Sequence, residues 1–143
     1  KSIFQLNMKI YDCFMFFDEE MLLDLRLNIM HKYVNKFVIT EATYMHSGKP
    51  KKLIFDINKF SKFKDKIIYN VVDKLPSSIE PIYDKDSDDT RAEKLINNSV
   101  KRENYQREMA QNSLIGADDE DILQTLSQGS RQGMAAFQFE ALC

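Results

Sequence analysis

Cysteine is almost missing from this sequence. Only Cys13 and Cys143 occur, the first inside the apolar run YDCFMFF and the second at the last residue, so no disulfide framework is available and Cys13 reads as a small core residue. Long apolar runs are missing too. Nothing approaches the ~20 residues needed to cross a bilayer, and the opening KSIFQLNMKIYDCFMFF carries no small-residue cleavage site after a hydrophobic segment. No membrane segment is expected within the chain, and a signal or anchor only outside it. Excess positive charge is also lacking: 20 Lys and Arg stand against 22 Asp and Glu, interleaved along the chain, which speaks against a nucleic-acid partner. Glycine is scarce, with four in all. None follows the first strand-like run, where the link reads FFDEEM, so the phosphate fingerprint of a dinucleotide-binding Rossmann enzyme is excluded. The acidic residues Asp84, Asp86, Asp88 and Asp89 likewise lack the glycine that a calcium-binding EF-hand loop needs at its sixth position, which leaves a solvated acidic loop.

What is present is a globular composition. The 143 residues are 43% apolar and 29% charged, enough for one domain with a real core. Residues 8–17 form a nearly continuous apolar run broken by Asp12, as in a central strand. The period then changes: Asp18 can cap a helix, Glu19 and Glu20 fall in its first turn, and Leu23, Leu27, Met30 and Val34 recur at helical spacing. A second stripe, Leu22, Leu25, Ile29 and Tyr33, lies beside the first, and His31 falls on the solvated face. Residues 36–42 form a second strand. Strand, helix and strand make a βαβ unit, which closes right-handed with parallel strands. The first helical stripe is then expected to pack on a sheet containing Phe14, Phe16, Val38 and Ile68. A third strand is expected at 66–72, ending at Asp73, followed by a surface loop over 76–98 with a partly helical end. Ser99 is expected to cap a helix over 100–114, and a fourth strand to start at Ile122. The fold class is α/β, a mostly parallel sheet with flanking helices.

Directly after Phe37, Val38 and Ile39 come Thr40, Glu41 and Thr43, then His46, Ser47, Gly48, Lys49 and Pro50. This loop lies beyond the carboxyl end of a parallel strand, where open α/β sheets bind ligands. An ordinary polar surface loop with a turn at Ser47-Gly48 is the alternative. Later, Arg102 and Gln106 share a helix face and Glu103 can pair with Arg107. Guanidinium groups near a helix N-terminus suit phosphate, although charge on a solvated helix is common.

Taken in order, KIYDCFMFFDEEMLLDLRLNIMHKYVNKFVITEATYMHSGKPKKLIF, KFKDKIIYNVV, RENYQRE and DDEDIL resemble glycosyltransferase family 17, over roughly residues 9–123. The most specific parts are YDCFMFF with DLRLN, the EAT and HSGKPK run, and REN-QR. The resemblance implies a GT-A-type nucleotide-sugar fold, with UDP-N-acetylglucosamine as donor, a mannose-containing glycan as acceptor and a divalent metal such as Mn²⁺ on the diphosphate. Arg102 and Arg107, then Lys49, are the candidates for neutralising the leaving diphosphate, with Gln106 beside them. Glu41 suits ribose hydroxyls or uracil, and His46 either a phosphate or sugar oxygen or the bracing of its own loop.

The sequence departs from the family after Leu123. Family members continue into a strand and an Asp-x-Asp run, whereas residues 124–143 read QTLSQGSRQGMAAFQFEALC. Residues 1–123 therefore read as an incomplete donor-binding domain and 124–143 as an atypical tail, a candidate for non-native or disordered sequence. Asp119 and Asp121 are the remaining metal candidates, and the chain as given is expected not to catalyse transfer. A different class stays open: a noncatalytic α/β interaction or receiver-like module using Asp12 and Asp18 at one sheet edge.

Overall fold

The structure is a computed structural model describing residues 9–112 and the backbone of 122–128 and 135–141. Five strands form one sheet in the order β3-β2-β1-β4-β5. These are β1 (Ile10–Met15), β2 (Lys36–Ala42), β3 (Ile67–Val72), β4 (Ile122–Gln128) and β5 (Ala135–Ala141). The first four are parallel, with Phe14 opposite Ile39, Phe37 opposite Ile67 and Ile10 opposite Ile122. β5 returns antiparallel to β4. The mostly parallel α/β sheet expected from the βαβ pattern is therefore what forms, and β4 starts at Ile122.

Helix α1 (Glu20–Met30) and a 3-10 segment (Ile57–Lys66) cover one face. Leu23, Leu27 and Val34 pack there with Phe14, Phe16, Phe37, Ile39, Phe60 and Phe63, and Met30 lies against the same cluster. Val38 and Ile68 do not join it. Side chains alternate along a strand, so Val38 packs with Cys13, Tyr11 and Ile68 on the opposite face. There Ala42, Tyr44 and Val72 meet Tyr105 and Met109 of helix α2 (Asp88–Asn112).

Both helices start differently from expectation. Asp18 does not cap α1: the N-cap position is Glu19, without a side-chain cap, and its carboxylate accepts from Phe17 N at 3.1 Å and Asp18 N at 3.3 Å. The second apolar stripe, Leu22, Leu25 and Ile29 of α1 with Tyr33 just beyond its end, is exposed. Helix α2 begins twelve residues before Val100 would suggest, at Asp88, because Ser87 is its cap: Ser87 Oγ accepts from Thr90 N, and Asp88 and Asp89 sit in the first turn where the helix dipole favours them. Half of the supposed acidic loop is thus a helix start. Ser99 lies inside the helix.

Asp12 is also not at an edge. It is fully buried in β1, where Arg26 of α1 reaches both carboxylate oxygens through Nε and Nη2 while its guanidinium lies 4.5 Å from the Phe14 ring centre. Burial holds the Asp12 carboxyl above its usual range, with Arg26 opposing. A carboxylate enclosed in this way is no phosphoacceptor, which removes Asp12 from the receiver-like reading. Cys13, beside it, is a core residue as expected; burial and then the Asp12 charge push its thiol up to about 12.

Candidate active site at the carboxyl edge of the sheet

Because β1 and β2 are parallel, the segments that follow them emerge on one edge. A cavity of about 340 Å³ lies there, lined by residues 15–17 and 19 at and beyond the end of β1, residues 42, 44–47 and 51 at and beyond the end of β2, and Gln106 of α2. Its volume is at the lower end of the ~300–1,000 Å³ usual for ligand pockets. Met15, Phe16, Phe17, Ala42 and Tyr44 supply apolar surface, and Glu19, His46, Ser47, Lys51 and Gln106 bring polar groups.

The loop after β2 is built as a short hairpin. Tyr44 bridges Pro50, Met45 N donates to Lys49 O at 2.8 Å and Gly48 N to Met45 O at 2.8 Å. Gly48 closes the turn at φ +89, a conformation open to glycine and costly for other residues. Helix α2 then holds this loop from one face. Ser99 Oγ donates to the His46 carbonyl at 3.0 Å, Arg102 Nη1 to the same carbonyl at 2.9 Å, and His46 Nε2 lies 3.1 Å from Gln106 Oε1. Residues 99, 102 and 106 fall one above the other at helical spacing.

The sequence candidates separate into four groups. His46 and Gln106 meet in the pocket wall. Arg102 grips the loop from behind, its guanidinium so close to Gly48 that a Cβ added there would lie 2.7 Å from Nη2. Arg107 is paired with Glu103 at 2.5 Å, and Lys49 is exposed on the loop; neither lines the cavity. Glu41 faces the α1 side of the sheet, fully buried. Its carboxylate accepts from Lys51 Nζ at 2.5 Å, Ile54 N at 2.8 Å, Phe55 N at 3.1 Å and Tyr69 OH at 2.8 Å. Burial pushes the group up, yet these donors together hold its pKa below the usual range, and the Tyr69 phenol is raised by burial and by Glu41. Both Glu41 oxygens are therefore saturated within the fold, and a ribose hydroxyl would have to displace one of four donors.

Sequence reading missed Lys51, Tyr44 and Glu19. Lys51 belongs to the run KPKK, and only its pairing with Glu41, ten residues earlier, distinguishes it from its neighbours. Tyr44 sends its hydroxyl to Lys74 O at 2.7 Å; burial raises its pKa and the Gln106 amide opposes that rise. Among the described residues two buried donors make no bond of hydrogen-bond geometry, Arg102 Nε and Gln106 Nε2, and a donor left in that condition costs free energy until an acceptor arrives. Among the described residues no group of three His, Cys, Asp or Glu is placed to hold a metal ion, and Asp119 and Asp121 lie outside the described residues.

No curated protein and no solved structure matches this chain. The sequence profile of glycosyltransferase family 17 matches residues 2–124, a span that holds the whole cavity lining and both flanking helices. With that match over most of its length, and parallel strands opening on the pocket within it, the chain belongs to glycosyltransferase family 17.

Proposed function

We propose that this pocket receives the nucleotide-sugar donor, UDP-N-acetylglucosamine, for transfer to a mannose-containing glycan, and that the fold is the donor half of a GT-A-type enzyme. The observation that carries the reading is the cavity at the carboxyl edge of β1 and β2, with the unfilled Gln106 donor in its wall. His46, Gln106 and Ser47 are suited to bonding ligand oxygens. Lys51 and the exposed Lys49 place positive charge near the same loop, where it would stabilise the diphosphate as the sugar leaves. Arg102 contributes by holding the His46 loop, and Glu41 by anchoring Lys51. Arg107 enters donor binding only if its guanidinium leaves Glu103. The described residues do not fit a metal site, and the metal implied by the resemblance would depend on Asp119 and Asp121, outside the described residues. In keeping with the missing Asp-x-Asp run after Leu123, the chain as given would bind donor without robust transfer.

Calorimetric titration of the purified chain with UDP, against ADP and GDP and with and without Mn²⁺, tests the reading. Selective UDP binding, weakened about tenfold by His46→Ala (about 1.4 kcal/mol), is the expected result. Binding that does not distinguish UDP from ADP, or no binding at millimolar UDP, overturns it. Acceptor-dependent UDP release by the same chain would overturn the statement about transfer alone.

A further inference from the structure

Hydrogen-bond polarity along the α2 side of the pocket can be followed from one fixed end. The Lys74 carbonyl only accepts, and the Tyr44 hydroxyl reaches it at 2.7 Å. The single phenolic proton is thereby used, so the Tyr44 oxygen can only accept from any further neighbour. Gln106 is that neighbour, since its amide acts on the Tyr44 hydroxyl. An oxygen with no proton left to give must face the amide nitrogen, even though the two fall short of full hydrogen-bond geometry. The Gln106 carbonyl oxygen is then turned toward His46, 3.1 Å from Nε2. Reversing the amide would set two acceptors against each other at Tyr44. A carbonyl oxygen cannot donate, so the imidazole proton belongs on Nε2 and the lone pair on Nδ1. Nδ1 has no hydrogen-bond partner among the described residues, and His46 lines the cavity.

Resting on the reading of this cavity as the donor pocket, we infer that Tyr44 and Gln106 are positioning residues that fix His46 as the Nε2–H tautomer, so that Nδ1 accepts a hydroxyl of the bound sugar or ribose rather than contacting a phosphate oxygen. A neutral imidazole nitrogen carrying a lone pair repels phosphate oxygens and matches an O–H donor. A sugar or ribose hydroxyl, which has a proton to donate, satisfies that lone pair; a fully ionised phosphate, which only accepts, does not.

The test is long-range ¹H–¹⁵N NMR of the ¹⁵N-histidine-labelled full chain at a pH where both rings are neutral. There are two histidines, and His31, whose ring rests on Phe63, serves as the internal reference. His46 is expected as a single tautomer with pyridine-type Nδ1 and pyrrole-type Nε2. Gln106→Glu, which keeps an acceptor on Nε2–H, should preserve that state, whereas Gln106→Leu should give His46 the mixed tautomers of an unconstrained ring. Tyr44→Phe, milder for the fold, should move it the same way by freeing the amide to turn. A protonated Nδ1 in the wild-type chain, or a tautomer ratio indifferent to Gln106→Leu and Tyr44→Phe, overturns the inference. Addition of UDP-N-acetylglucosamine should shift Nδ1 as an acceptor without protonating it; protonation of Nδ1 on binding would overturn the hydroxyl assignment. Absence of any response to the nucleotide sugar removes the donor reading and its ligand hydroxyl, while the tautomer, read without ligand, is decided on its own.

Discussion

Glu41→Gln separates a ligand-binding carboxylate from a structural one. The wild-type carboxylate holds Lys51, two backbone amides and the Tyr69 hydroxyl in the interior, and Lys51 retains only 8% exposure of its side chain. Glutamine keeps the shape but removes the charge and turns one oxygen into a donor facing donors. Breaking a buried ion pair by changing one partner costs roughly 3–5 kcal/mol. Lys51 also bonds Lys52 O at 3.1 Å and can swing toward solvent, so the expected loss is at the low end, about 3 kcal/mol. Urea unfolding followed by far-UV circular dichroism measures it. The pH dependence has a definite sign. The folded pKa of Glu41 is depressed, so its stabilisation is present above the ordinary glutamate range and is lost as pH falls through the lower folded value. The gap between wild type and variant should therefore close in acid. A deficit within about 0.5 kcal/mol of zero, or a gap that widens as pH falls, refutes the structural placement. Unchanged stability with lost UDP binding would instead return Glu41 to the ligand.

Leu27 is fully buried at the centre of the α1 cluster, so Leu27→Ala should cost about 2–5 kcal/mol by denaturant unfolding, leaving the α2 side of the sheet unaffected. Gly48→Ala meets two obstacles, the positive φ and the Arg102 guanidinium; it should cost about 1–2 kcal/mol for the backbone alone and weaken UDP binding by displacing the His46 loop, both measurable in one thermal-shift series.

The parallel sheet was legible because β1, β2 and β3 each carry a concentrated apolar run, and the α1 stripe because Leu23, Leu27 and Val34 recur at one spacing. What those runs conceal is which side each residue faces. A strand buried on both faces shows no alternation, so Val38 and Ile68 were assigned to the α1 side while they pack with Cys13 on the other. Helix α2 was half hidden for a different reason. Its buried residues are Asn98, Gln106 and Ala110, and Asn98 is fixed by the backbone of Glu80, donating to its carbonyl and accepting from its amide. A helix whose buried positions are largely polar leaves little apolar period to read, although Tyr105 and Met109 also pack on the sheet. The pocket loop was found by its position after a parallel strand, since topology alone places it, whereas Lys51 and Tyr44 depend on partners that spacing cannot reveal.

The grip of α2 on the His46 loop joins residues 53 to 60 positions apart in the chain, and it is made of polar contacts, while α1 and the sheet are joined by a continuous apolar cluster. Polar docking is weaker per contact and yields to local opening at lower free energy than a packed core does. Foldedness and the integrity of the proposed donor pocket are therefore separable quantities in this molecule: the pocket wall can be lost by undocking one helix while the sheet and its α1 layer remain intact.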